Sequence, residues 1–241
     1  MKICVSIPVK NARSAANVEK AWRLADLVEL RIDWCRGPEL EPLLCRLLRS
    51  KKGPVVVACR RRGDGGFFPG DEAERIELLK LAVSLGADIV DIELTAGRGP
   101  IASLAQRIAE TGGRTKLLVS YHDFSGTPSE RVLWGKMKAC IRAGGDIVKI
   151  VSTAGQIEDN LRVLNLIGPA RSMHRPIIAF CMGEAGRMSR IVSPMLGGAF
   201  TFASHDERSE TAPGQLTIKE MRRIYEILAP NGGFCPAPNG R

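Results

Sequence analysis

The stretch GDIVKIVST, Gly145 to Thr153, puts a charge where the surrounding pattern has no place for one. Ile147, Val148, Ile150 and Val151 read as a β-strand apolar on both faces, and Lys149 sits in its middle. An unpaired ammonium there is costly or sheds its proton. In a dry pocket beside other cations a lysine falls below its ordinary pKa of about 10.4, and its neutral amine can attack a carbonyl to form a Schiff base.

Other reactive side chains stand at the ends of comparable runs. Side chains two apart in a strand share a face. Glu29 and Arg31 in "LVELRID" therefore point the same way, with Val28, Leu30 and Ile32 opposite. Arg60 ends "PVVVACR" on the face of Val56 and Ala58, and His122 ends "KLLVSYHD" on the face of Ser120. Together they suggest an imine-forming lysine, an acid–base histidine and arginines for an anionic substrate. Plainer readings stand beside this one. Lys149 could pair with Glu29 or Asp123. Glu29 and Arg31 could form a structural ion pair, Arg60 could be one of several surface arginines in "RRRGDGG", and His122 could cap a strand. His174 precedes a strand and faces away from any such site, whereas His205 follows the last strand on the correct side to approach a ligand.

The elements that must carry these residues alternate along the chain. Strands are predicted at 2–9, 27–33, 54–60, 88–94, 116–123, 146–152, 176–183 and 199–204. Amphipathic helical patterns stand between them, clearest in "SAANVEKAWRLA", "ELEPLLCRLLRS", "DEAERIELLKLAVSLG" and "SERVLWGKMKACIRAGG". The last, "TIKEMRRIYEIL", opens with a Thr217–Glu220 capping box. Continuous Val/Ile runs fit parallel strands covered by helices. About eight such units predict one (β/α)₈ TIM barrel over residues 1–228, followed by a disordered tail over 229–241. An open doubly wound sheet is the alternative, weakened because no G-x-G-x-x-G follows the first strand. In a barrel, the strand C-termini carry the site, which is where Glu29, Arg31, Arg60, His122 and Lys149 fall.

The chain has 241 residues, 44% of them hydrophobic and 25% charged, which is ordinary globular composition. The formal net charge of +9 allows a nucleic acid or a small anion as partner. The basic residues alternate with apolar ones along helical segments, and aromatics make up only 5%, too few for a stacking platform. A small anionic substrate is the better expectation. The seven cysteines show no CxxC and mostly lie in apolar segments, as reduced, buried thiols do, with Cys235 in the tail exposed. No signal h-region opens the chain and no run is long enough to cross a bilayer, so a cytoplasmic protein without membrane contact is expected.

At this point the motifs "VSIP", "ELRID", "ACR…GG", "SYHDF", "DIVKI", "FCMGEAGRMSRI" and "TAPGQ", in this order and spacing, resemble the type I 3-dehydroquinate dehydratase family of the shikimate pathway. The resemblance runs through residues 1 to 228. It implies dehydration of 3-dehydroquinate to 3-dehydroshikimate, with Lys149 forming the imine and His122 moving the proton. By the same resemblance Arg190 clamps the substrate carboxylate, Glu29, Arg31 and Arg60 bind ring hydroxyls and help place His122, Gln215 comes from a closing loop, Met182 packs on the ring, and Ser6 ends the first strand. No cofactor and no metal are implied, and the chain offers no HExxH or Cys/His cluster. A homodimer is also implied. The chain departs from the pattern twice: Asp64 stands where a glutamate aligns, one methylene shorter, and Thr211 replaces a serine but keeps the hydroxyl. A class I aldolase and a silent anion-binding barrel are the competing functions.

Overall fold

The computed structural model describes residues 1–35, 37–207 and 209–229. The expectations for the tail, Cys235 included, lie beyond Ala229 and outside the described residues. In chain order the elements are β1 (Ile3–Pro8), α1 (Ser14–Trp22), β2 (Leu27–Arg31), α2 (Leu40–Arg49), β3 (Val55–Ala58), α3 (Glu72–Ser84), β4 (Ile89–Glu93) and α4 (Arg98–Glu110). They continue as β5 (Lys116–His122), α5 (Glu130–Arg142), β6 (Ile147–Thr153), α6 (Asp159–Leu164), α7 (Ile167–Ser172), β7 (Ile177–Met182), α8 (Arg187–Met195), β8 (Thr201–Ser204) and α9 (Ile218–Leu228).

The strands pair in parallel in the order β7-β6-β5-β4-β3-β2-β1-β8. Pairing of β1 with both β2 and β8 joins the first strand to the last. Across the remaining seam, the Ala199 N–H donates to Ile177 O at 2.7 Å. The architecture is the single-domain (β/α)₈ TIM barrel that the alternation predicts. Asp26 fastens the ring of helices at the same place, accepting from Ile3 N at 2.8 Å and from Arg222 Nη2 on α9 at 2.9 Å. The capping box that opens α9 is formed, with the Thr217 N–H donating to Glu220 Oε2 at 2.7 Å.

Alternation along each strand divides the apolar side chains into two layers. Val5, Val28, Val57, Val119 and Val148 face outward and pack under Leu44, Leu79, Leu104, Leu133 and Met137 of the helices. Cys4, Val56, Leu118, Ile147, Ile178 and Phe202 face inward and fill the lower barrel. Cys35, Cys59, Cys140 and Cys181 are also buried, and Cys45 is half-buried. Among the described residues no helix is long and apolar enough to cross a membrane.

Seven of the eight strands are shorter than the pattern predicts, β6 alone keeping its length, and two of the differences serve the upper barrel. β2 stops at Arg31 because Ile32–Trp34 curl into a 3₁₀ turn. β3 stops at Ala58, which leaves Cys59 and Arg60 beyond the last rung of the ladder. β8 starts at Thr201.

The loop after β3 holds Arg60 by folding back on it: the Phe68 N–H donates to Arg60 O at 3.2 Å, and Gly66 passes so close that a Cβ there would overlap the Arg60 carbonyl. Gly66→Ala is therefore expected to cost about 1–3 kcal/mol in urea unfolding, as overpacking does. Wild-type stability in that variant would show that the loop yields freely and does not hold Arg60.

Candidate active site

The upper barrel is built around a buried carboxylate that the pattern reading of the chain passed over. Asp91, in the middle of β4, accepts from Lys149 Nζ at 3.0 Å, Arg60 Nη2 at 3.0 Å and Ser120 Oγ at 2.6 Å. Burial alone would raise its pKa. Lys149 first, then Arg60 and Ser120, overcome that and hold it at about 2. Lys149 is thus a paired ion at the floor of a pocket, 4.0 Å from Glu29 Oε1 and with Nζ 4.3 Å from the centre of the Phe202 ring. Asp123, offered above as a partner for Lys149, turns away to accept from Tyr121 Oη at 3.0 Å and Ser125 Oγ at 2.7 Å.

Glu29 and Arg31 share the pocket face without pairing with each other. Glu29 accepts a short hydrogen bond from Ser6, its register neighbour on β1. Arg31 is gripped by both oxygens of Asp33 at 2.9 Å each. That bidentate fork fixes the plane of the guanidinium. Arg60 is only 4% exposed, so the surface-arginine reading fails.

His122 stands at the end of β5, with Arg60 Nη1 at 2.7 Å from Nδ1 and 2.9 Å from Nε2 and the Phe124 ring stacked 6.0 Å away. Burial foremost, then the charges of Arg60, Lys149 and Arg31, push its pKa well below the usual histidine range. The imidazole is therefore neutral at pH 7, accepting from a guanidinium that can only donate.

Arg190, on α8, enters from the opposite side. Its Nη2 donates to Pro213 O at 3.1 Å, the guanidinium carbon lies 4.5 Å from the centre of the Phe180 ring, and Nε and Nη1 have no hydrogen-bond partner among the described residues. Burial drags its pKa down to about 10, against weaker pulls from Cys181 and Glu210. A fully buried guanidinium with two unmatched donor nitrogens has the capacity to receive an anion. Above it, Gln215 Nε2 donates to Thr211 Oγ1 at 3.1 Å, and the Gly183 N–H donates to Pro213 O at 3.1 Å. Gly214 adopts φ +74° and passes so near Gly183 that a side chain would not fit, which locks this loop onto the β7–α8 turn.

The structure therefore brings Ser6, Glu29, Arg31, Arg60, His122, Lys149, Met182, Arg190, Thr211 and Gln215 around one pocket, with Phe180 and Phe202 completing its apolar side. The profile of the type I 3-dehydroquinase family matches residues 3–231. The chain belongs to that family. Its members are hydro-lyases, and the closely similar proteins agree. The 3-dehydroquinate dehydratase of Desulfotalea psychrophila is 38% identical over 224 residues, 93% of this chain and 96% of that one. The crystal structure of 3-dehydroquinate dehydratase from Geobacillus kaustophilus superposes with a TM-score of 0.88 at 29% identity, covering 96% of this chain and 92% of that one. The type I enzyme of Clostridium difficile, described with covalent modified comenic acid, gives 0.83 at 26% identity over 94% and 91% of the two chains.

One carried-over residue does not join the type I pocket of this chain. Asp64 is bound by Arg61 and accepts from Thr95 Oγ1 at 3.0 Å, and the shorter side chain stays outside; its neighbour Gly65 lines the pocket instead. His205 and His174 also lie outside it. The residues missed were Asp91, Glu93 and Ser120, although "DIVDIEL" carries the needed signal: Asp91 and Glu93 lie two apart, on the face of Ile89.

Because Asp91 is ionised between two buried cations, Asp91→Asn should lower stability at pH 7 by roughly 3–5 kcal/mol, the usual cost of leaving buried charge uncompensated. The folded-state pKa is depressed, so this contribution is present above the unfolded value of 3.8 and is lost as pH falls toward about 2. Urea unfolding of both proteins from pH 7 down to pH 3 should show the gap narrowing below about pH 4. A gap that stayed constant over that range would mean that Asp91 is not the charged centre described.

Proposed function

We propose that this chain dehydrates 3-dehydroquinate to 3-dehydroshikimate, a step of the shikimate pathway, through an imine on Lys149 with His122 as acid and base. The observation that carries this reading is one pocket holding three things: a lysine amine at its floor, a neutral histidine on the adjacent strand, and a buried, unmatched arginine on the far side.

The chemistry follows from these positions. Lys149 first gives up a proton, its free amine adds to the ketone carbon, and the carbinolamine hydroxyl takes a proton back and leaves as water, giving a protonated imine. That iminium draws electrons from the neighbouring C–H bond, so the proton lost there leaves an enamine in place of a bare carbanion. Neutral His122 takes the proton. The resulting imidazolium, crowded by Arg60, Lys149 and Arg31, is a ready acid for the β-hydroxyl, which departs as water while the enamine pair re-forms the iminium. Hydrolysis then frees the enone product and the lysine. Arg190 takes the substrate carboxylate with its two free donors. Glu29, Ser6 and Arg31 face the ring hydroxyls, Met182 packs on the ring, and the loop bearing Thr211 and Gln215 closes above. The Clostridium difficile relative is described with covalent modified comenic acid, and covalent chemistry in that relative fits this reading. An aldolase acting on phosphorylated sugars would need a phosphate cradle after β7 and β8, where Gly183 and Pro213 bond to each other instead.

Ultraviolet absorbance of the conjugated enone tests this directly: wild type with 3-dehydroquinate should generate it. Lys149→Ala should lose essentially all turnover, and His122→Ala about 10²–10⁴-fold. Arg190→Ala should cut kcat/KM by on the order of 10²-fold, the equivalent of a charge-assisted pair worth about 3 kcal/mol. Absence of enone in the wild type, or near-normal rates in Lys149→Ala, would refute the reading.

A further inference from the structure

Behind the pocket lies a charged pair, Arg75 with Glu93, that does not itself line it. Arg75, on α3, is fully buried, an expensive position for a guanidinium that only tied a helix to a barrel. Its Nε and Nη2 engage both oxygens of Glu72 at 3.0 and 2.7 Å, while Nη1 reaches between β3 and β4. There it donates to Cys59 O at 2.7 Å and to Glu93 Oε2 at 2.8 Å. Both contacts lead to Arg60. Cys59 precedes it in the stretch beyond the end of the β3 ladder, and the second Glu93 oxygen stands 3.8 Å from Arg60 Nε. Arg60 in turn meets Asp91 and His122.

We propose that Arg75 and Glu93 are positioning residues: Arg75 occupies Glu93 and anchors the Cys59 carbonyl, so that Arg60 stays directed at Asp91 and His122. This rests on His122 being the acid–base group of the proposed reaction. Burial pushes the Glu93 carboxyl up even with Arg60 and Arg75 beside it, so its ionised form depends on those cations. Without Arg75, the nearest cation for Glu93 is Arg60, which would swing toward it and away from the histidine. The groups facing Glu93 are Arg60 from the stretch after β3, Arg75 from α3 and Asp91 from its own strand. Those facing His122 are Arg60, Lys149 from β6 and Arg31 from β2, and of these only Arg60 also contacts Glu93.

Ring NMR of His122 reads the consequence without substrate, and with three histidines in the chain its signals are assignable by substitution. In Arg75→Gln, His122 should titrate at higher pH than in wild type, and kcat should fall about 10–10²-fold, as for a displaced catalytic group, with KM changed far less. Arg75→Lys, which keeps a cation for Glu93, should recover most of both. If Arg75→Gln does not fold, Glu93→Gln carries the test: Arg60 then settles wholly on Asp91 and His122, and the histidine should titrate lower than in wild type. Arg75 variants that lose stability while His122 titrates as in wild type, or an unmoved His122 in Glu93→Gln, would overturn the proposal and leave a purely structural tie. A His122 shift in a protein that makes no enone would defeat the proposed reaction and leave the positioning intact.

Discussion

Charge enclosed in an apolar barrel is the constraint on which the rest of this structure depends. Each buried ion loses several kcal/mol of hydration, and only close, well-shaped partners return it. Asp91 is the centre of the solution, with Lys149 and Arg60 at 3.0 Å each and Ser120 completing its oxygens. From there the pairing spreads outward through Arg60 to Glu93 and Arg75, and Arg31 is closed separately by Asp33. Such a network gives little net stability, but it holds each side chain to one place. Placement is what a reaction built on an amine and an imidazole requires.

Arg190 is the exception that gives the pocket its purpose. No carboxylate among the described residues lies within ion-pair distance of it; it has an aromatic face, one carbonyl and two free donors. Among the described residues its one hydrogen bond goes to Pro213, so the same guanidinium ties down the loop over the pocket.

Much of this was legible in the chain because strands impose a period of two. Lys149, His122, Arg60, Glu29 and Arg31 each announced themselves as polar residues on the inner face near a strand's C-terminal end, and all five line the pocket. The barrel followed from the count of alternating runs, and the capping box of α9 from Thr217 and Glu220. Strand ends were less legible, because where β2 and β3 stop depends on the turns after them. Asp91 and Glu93 carried the same signal and were passed over because two acids in a strand resemble a solvated face; only the neighbouring strands show them to be enclosed. Asp64 lies outside the pocket for a different reason: its short side chain is taken up by Arg61 and Thr95. The short α6 and α7, interrupted near Pro169, have too few turns for periodicity to mark them.

The proposed reaction turns on a covalent bond at one atom, Lys149 Nζ, and that bond can be caught. Borohydride added during turnover of 3-dehydroquinate reduces an imine to a stable secondary amine, and peptide mass mapping then locates it. The prediction is a single adduct on the peptide carrying Lys149, present in wild type and in His122→Ala, where imine formation precedes the stalled proton transfer. An adduct on Lys136, Lys138 or any other lysine, or no adduct under conditions of turnover, would contradict the mechanism.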